Sequence, residues 1–141
     1  MQGTKLYPDD LKIRAKVDQR LCFNSGFWNK YFFNLIFPKV YKGEDFSKEV
    51  IGKIEQDLEW INDFLKDTGF LAGTDGPTLA DYSLLAMYSS MNGLEGVVPI
   101  DLSKYNEIND WFDKMKKLTK NYDESNGNGA KGFADYVRSK M

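Results

Sequence analysis

Apolar positions along this chain recur at the spacing of helices, and no stretch of useful length shows the two-residue alternation of a strand. Ile54, Leu58, Ile61 and Leu65 follow one another at offsets of four, three and four, which draws one buried stripe along a helix. Lys53, Glu55, Asp57, Glu59 and Lys66 fall on its charged face, Ser47 is placed as the N-cap and Gly69 as the stop. Ile108, Trp111, Phe112 and Met115 repeat the pattern at i, i+3, i+4 and i+7 and predict a helix over 106–118. Leu118 is expected on the buried side of that helix, with Lys114, Lys116, Lys117 and Lys120 on a solvated face.

Between these two lies a segment of different character. Leu79, Tyr82, Leu84, Leu85, Ala86, Met87 and Tyr88 point in nearly every direction around a helix running to about Met91, the pattern of a core helix. The orphan amides of its first turn lie far from water and need partners from the chain itself. Thr78 is placed to cap them while Asp81, three residues on, reaches back; losing such a cap costs about 1 kcal/mol, up to roughly 2.

The first helix begins at Asp9 or Asp10, whose carboxylates suit the positive end of its dipole. It is expected to stop at Phe37, because Pro38 makes continuation unfavourable and biases its predecessor away from helix. At the standard rise it is about 40 Å long, with Gly26 as a candidate bend. A loop marked by Gly93, Gly96 and Pro99 leads to Tyr105. Asn126-Gly127-Asn128-Gly129 is expected to form a flexible break before a short terminal helix holding Phe133, Tyr136 and Val137. The class is all-α, a compact bundle of about five helices, and one domain is expected over residues 1–141.

With 42% hydrophobic and 15% aromatic residues the chain can build a genuine core. A net charge of −2, with acidic and basic residues interleaved, provides no footprint for nucleic acid. No run approaches the roughly 18 apolar residues of a membrane span, and the first residues lack the build of a signal peptide. A cytoplasmic location is therefore expected. Histidine is absent and Cys22 is the only cysteine, so the usual zinc sets, Ser-His-Asp triads and Cys-His dyads cannot be assembled, and no metal is expected.

Function is most legible in the second half of the first helix. Phe27, Trp28, Tyr31, Phe32, Phe33, Leu35, Ile36 and Phe37 cover more than the roughly 100° that one packing stripe occupies. Some of these side chains must bury against something beyond the bundle core: a partner chain, another domain or a ligand. Asn29, Phe32, Phe33 and Ile36 fall at i, i+3, i+4 and i+7 and are candidates for one wall of an apolar pocket, to which Tyr31 could add a polar tip. Asp81 is not a catalytic candidate, because a carboxylate occupied by backbone donors at a helix start is a poor proton carrier. Cys22, on a helix between Leu21 and Phe23, reads as a packed or idle thiol. Catalytic residues are not expected.

Phe70-Leu71-Ala72-Gly73, a short turn, then Thr78-Leu79-Ala80-Asp81 resembles the C-terminal domain of glutathione transferases, where this segment precedes the central buried helix. Leu6-Tyr7-Pro8 with Val17-Asp18-Gln19-Arg20-Leu21, and Asp101-Leu102-Ser103-Lys104-Tyr105 with Trp111, extend the similarity towards the insect delta and epsilon classes. The tail Tyr122-Asp123-Glu124-Ser125-Asn126-Gly127 resembles the epsilon side more, and the similarity runs from about Leu6 to Arg138.

The resemblance implies a wall for hydrophobic substrates along Asn29, Phe32, Phe33 and Ile36, closed by Phe133 and Tyr136 of the terminal helix. It places Asp18, Gln19 and Arg20 near a dimer interface and the cleft between domains, against an equally weighted reading as solvated surface. Family members also carry a thioredoxin-like half that binds glutathione and activates its thiol. That half is expected to be absent here, since Gln2-Gly3-Thr4-Lys5 are too few to form it. The implied function is the substrate half of an enzyme that conjugates glutathione, as co-substrate, to electrophilic apolar compounds in detoxification. The chain alone is expected to need no cofactor and to show no conjugation. A non-catalytic binder of small apolar ligands and an interaction or dimerisation module are the alternatives.

Overall fold

The structure is a computed structural model that describes residues 5–141, so the expectation placed on Gln2-Gly3-Thr4 lies outside the described residues. It is all-α. Helices α1 (Leu11–Tyr31) and α2 (Phe37–Lys42) form one rod, followed by α3 (Lys48–Leu65), α4 (Leu79–Asn92), α5 (Asn106–Leu118) and α6 (Asn128–Ser139). The caps are those that side-chain chemistry predicts: Asp10 accepts from the amides of Lys12 and Ile13 at 2.9 and 3.0 Å, and Ser47 accepts from Val50 N–H at 3.3 Å. Helix α4 packs against α1 and α6, and α3 against α1 and α5. The shared core takes in Val17, Phe27, Leu58, Ile61, Leu84 and Ile108, each worth about 1.5–3 kcal/mol on burial.

The first rod does not stop at Pro38. Residues Phe32–Ile36 form a π turn, in which Phe37 N–H donates to the Phe32 carbonyl five residues back. A proline at position 38 has no N–H for the carbonyl of Asn34, and its ring would crowd that oxygen in a regular helix. Widening the preceding turn removes the conflict and keeps the chain helical up to Gly43, whose φ of +68° ends it. The interruption lies there and not at Gly26, which sits within unbroken α1. The expected flexible break is likewise helical: Asp123–Gly127 form a second π turn, with Asn128 N–H donating to the Asp123 carbonyl, and run straight into α6.

Asp81 organises the entry to α4. Its Oδ2 accepts from Thr78 N–H at 2.8 Å and from the Thr78 hydroxyl at 3.0 Å. Its Oδ1 accepts from Leu71 N–H and from Trp111 Nε1, both at 3.0 Å. The threonine hydroxyl therefore donates a hydrogen bond to the carboxylate, and one buried group joins the Phe70–Ala72 turn, the start of α4 and the middle of α5. Asn24 Nδ2 adds a buried bond to the Ala80 carbonyl at 2.9 Å, tying α1 to the same turn.

Several positions depart from the periodic reading. Asp57 does not lie on a solvated face of α3: it is buried, and Lys30 Nζ reaches it across from α1 at 2.6 Å. Lys114 turns inward to donate to the Gly69 carbonyl at 2.9 Å over the Phe70 ring. Leu118, the last residue of α5, is exposed, and Leu79 and Ala86 leave one side of α4 open. No helix among the described residues is long and apolar enough to cross a membrane.

Candidate functional site

The π turn in the first rod places ring faces on both sides of it. Trp28, four residues before Phe32, stacks on it with centroids 5.5 Å apart and planes 13° from parallel. Phe33 meets Phe32 edge to face at 4.9 Å. From the far side α6 brings Phe133 to 6.0 Å from Phe32 and 6.3 Å from Trp28. Beyond the turn, α2 carries Phe37 and Tyr41 with ring centroids 4.7 Å apart, and the Tyr136 hydroxyl of α6 donates to that of Tyr41 at 3.1 Å. Close approach of α6 depends on Gly93, where a Cβ would lie 3.2 Å from that of Ala134.

This cluster is open. Phe33 is 53% exposed, Tyr136 43% and Tyr41 57%, while Trp28, Phe32 and Phe133 are half-buried. A set of aromatic rings left uncovered over two helices can hold and orient an apolar molecule, with two phenol hydroxyls at one end as polar handles.

The structure brings Phe32, Phe33 and Phe133 together and sets Tyr136 at their edge. Asn29 is exposed on α1, one turn before Phe32. Tyr31 and Ile36 are a correction: both are sealed in the core, at 0% and 1% exposure, because the π turn rotates residue 36 inward from the helical series it shares with Asn29 in sequence. The Tyr31 hydroxyl offers no tip to a ligand; it is buried without a protein partner, and burial pushes its phenol well above the ordinary value. Cys22 is exposed and not packed.

Two members lie outside the wall that the sequence spacing draws. Trp28 belongs to the aromatic run of the first helix, and its place four residues before Phe32 is the spacing that puts it on the same face. Tyr41 was hidden by the expectation that the helix ends at Pro38. Arg20 donates to the Leu71 carbonyl at 3.0 Å and lies over the Phe64 ring, so it is tied to the bundle and not free in solvent. A cleft of about 720 Å³ lies elsewhere, between Leu6, Pro8 and Ile13 and the 73–77 turn.

The fold is an all-α helical domain among the described residues, and comparison with known proteins identifies its family. The family model described as Glutathione S-transferase, C-terminal domain matches residues 44–114, and the chain belongs to that family. Its structural neighbours are insect transferases. A Nilaparvata lugens delta-class glutathione transferase is 35% identical with a TM-score of 0.87 over 96% of this chain and 62% of its own. An epsilon-class glutathione S-transferase from the housefly, Musca domestica, is 31% identical with a TM-score of 0.83, over 96% of this chain and 61% of its own. A glutathione transferase homologue from Drosophila mojavensis with bound glutathione is 32% identical with a TM-score of 0.78, over 96% and 60%. The chain thus spans less than two thirds of the length of each.

Proposed function

We propose that this chain forms the apolar-substrate half of a glutathione transferase of the insect delta or epsilon type. Trp28, Phe32, Phe33 and Phe133 hold an electrophilic apolar compound, with Asn29 and Tyr136 at the rim, while Tyr31 and Ile36 support the wall from the core. Glutathione is the co-substrate, bound and ionised by a thioredoxin-like half that is not among these residues. The complete assembly is a cytoplasmic homodimer that works in detoxification. The observation that carries this reading is the uncovered ring cluster between α1 and α6 in a fold that the insect transferases share.

The test is direct. Anilinonaphthalene sulfonate titrated into the protein is expected to bind, and chlorodinitrobenzene to displace it, with no turnover above the uncatalysed rate when glutathione is added. Failure of the dye to bind, or of the electrophile to displace it, overturns the wall. Turnover well above background overturns the assignment of thiol activation to another half.

A further inference from the structure

The two π turns flank the ring cluster, one in each of its walls, and the second is held by a buried side chain that the site does not otherwise use. Ser89 of α4 is almost fully buried, and each capacity of its hydroxyl is filled. Its Oγ donates to the Leu85 carbonyl at 2.6 Å, stands 2.8 Å from the Tyr122 hydroxyl, which then serves as donor, and accepts from Asn126 Nδ2 at 2.7 Å. Tyr122 immediately precedes the second π turn and Asn126 lies inside it. Gly127 makes room for this arrangement, because a Cβ there would fall 3.1 Å from the Tyr122 ring and 3.0 Å from the Asp123 carboxylate.

The consequence is angular. Relaxing a π turn to regular α geometry turns the residues after it, relative to those before it, by roughly one residue's step of 100°. Phe133 lies seven residues beyond Asn126, two turns along the same rod. With Tyr122 and Asn126 fixed on Ser89, the extra width of the turn decides which way Phe133 faces, and it faces Trp28 and Phe32.

We propose that Ser89 is a positioning residue for the ring wall: through Tyr122 and Asn126 it locks the π turn that aims Phe133, and so sets the ring spacing a ligand meets. As a statement about ligands this rests on the binding reading above; as a statement about geometry it does not. Two readouts keep them apart. One is the set of nuclear Overhauser effects between the Trp28 indole and the Phe133 ring in the whole chain, and the other is affinity for anilinonaphthalene sulfonate.

Ser89→Ala and Asn126→Ala are each expected to abolish the Overhauser effects between the rings and weaken the dye about fivefold. The double variant should be no worse than either single one, since both cut the same lock. Ser90→Ala is the control on the same helix, as its hydroxyl reaches only the Ala86 carbonyl at 3.4 Å, and it should change neither readout. Overhauser effects that persist in Ser89→Ala overturn the proposal even if the melting temperature falls, because a purely structural serine would behave that way. Should Ser89→Ala fail to fold, Tyr122→Phe removes a single hydroxyl and must still weaken the effects; an unchanged spectrum there also overturns it. Disappearance of the effects in a protein that binds no dye supports the lock and overturns the ligand reading instead.

Discussion

Two aromatic clusters in this molecule have similar chemistry and opposite fates. Tyr88, Trp111 and Phe112 meet edge to face at 5.1–6.2 Å where α4 and α5 face each other, and all three are buried. The one indole N–H among them is spent on Asp81. Trp28, Phe32, Phe33 and Phe133 approach one another as closely between α1 and α6, yet leave ring faces in solvent. The difference is what lies above the rings. The first cluster lies inside the core, its indole matched to Asp81 while the Tyr88 hydroxyl is buried without a partner among the described residues. The second lies over a π turn and a terminal rod, left open among the described residues. The same side-chain types hold the fold in one place and stand open to solvent in the other.

The comparison is broken most forcefully at Asp81. Asp81→Ala removes the acceptor for the amides of Leu71 and Thr78, the Thr78 hydroxyl and the Trp111 indole, leaving several donors buried without partners. Stability should fall by about 4 kcal/mol, more than a surface helix cap is worth. For a chain of this length that is a drop of about 15 °C in a calorimetric melt. A melting temperature within a few degrees of wild type would show that the sealed cluster stands without its carboxylate.

Alkaline pH probes the sealed tyrosines. Burial raises the phenols of Tyr31 and Tyr88 above their ordinary value, so the folded protein keeps protons that the unfolded chain releases. The unfolded state then binds fewer protons, and stability falls as pH rises. This contribution is complete below pH about 10 and is lost from there upward, at about 1.4 kcal/mol per pH unit for each tyrosine. Denaturant titrations between pH 9 and 11 should show the loss, and Tyr88→Phe should remove one proton's worth of slope. A slope that Tyr88→Phe leaves unchanged would mean that its hydroxyl is not held dry.

How much of this could be read from residues alone follows the range of each interaction. The bounds of α5 and the stripe of α3 rest on near neighbours, and periodicity placed both; the reach of Asp81 back to Thr78 is just as local. Its other partners, Leu71 and Trp111, come from a turn and a helix that only the fold brings together. Asp57 failed for the same reason: at its place on α3 it looks solvated, and Lys30 from another helix draws it in. Pro38 failed differently, since a rule about regular α geometry does not foresee a chain that widens its helix to keep the proline. That one miss hid Tyr41 and put Ile36 on the wall, whereas Tyr31, within regular α1, failed separately because the bundle core takes its side chain.

The open cluster gives the smallest effect on stability and the sharpest test of the contrast. Phe33 meets the Phe32 ring edge to face and is more than half exposed, so Phe33→Ala should change stability by no more than about 0.5 kcal/mol. Its ring is part of the surface a ligand would cover, and removing that aromatic face should weaken anilinonaphthalene sulfonate about threefold. Such a separation, weaker binding with the melt unmoved, is what a functional surface predicts and a packing surface forbids. If Phe33→Ala instead lowers the melting temperature by many degrees, the ring is sealed in solution by something that covers it, and the two clusters are one kind of structure after all.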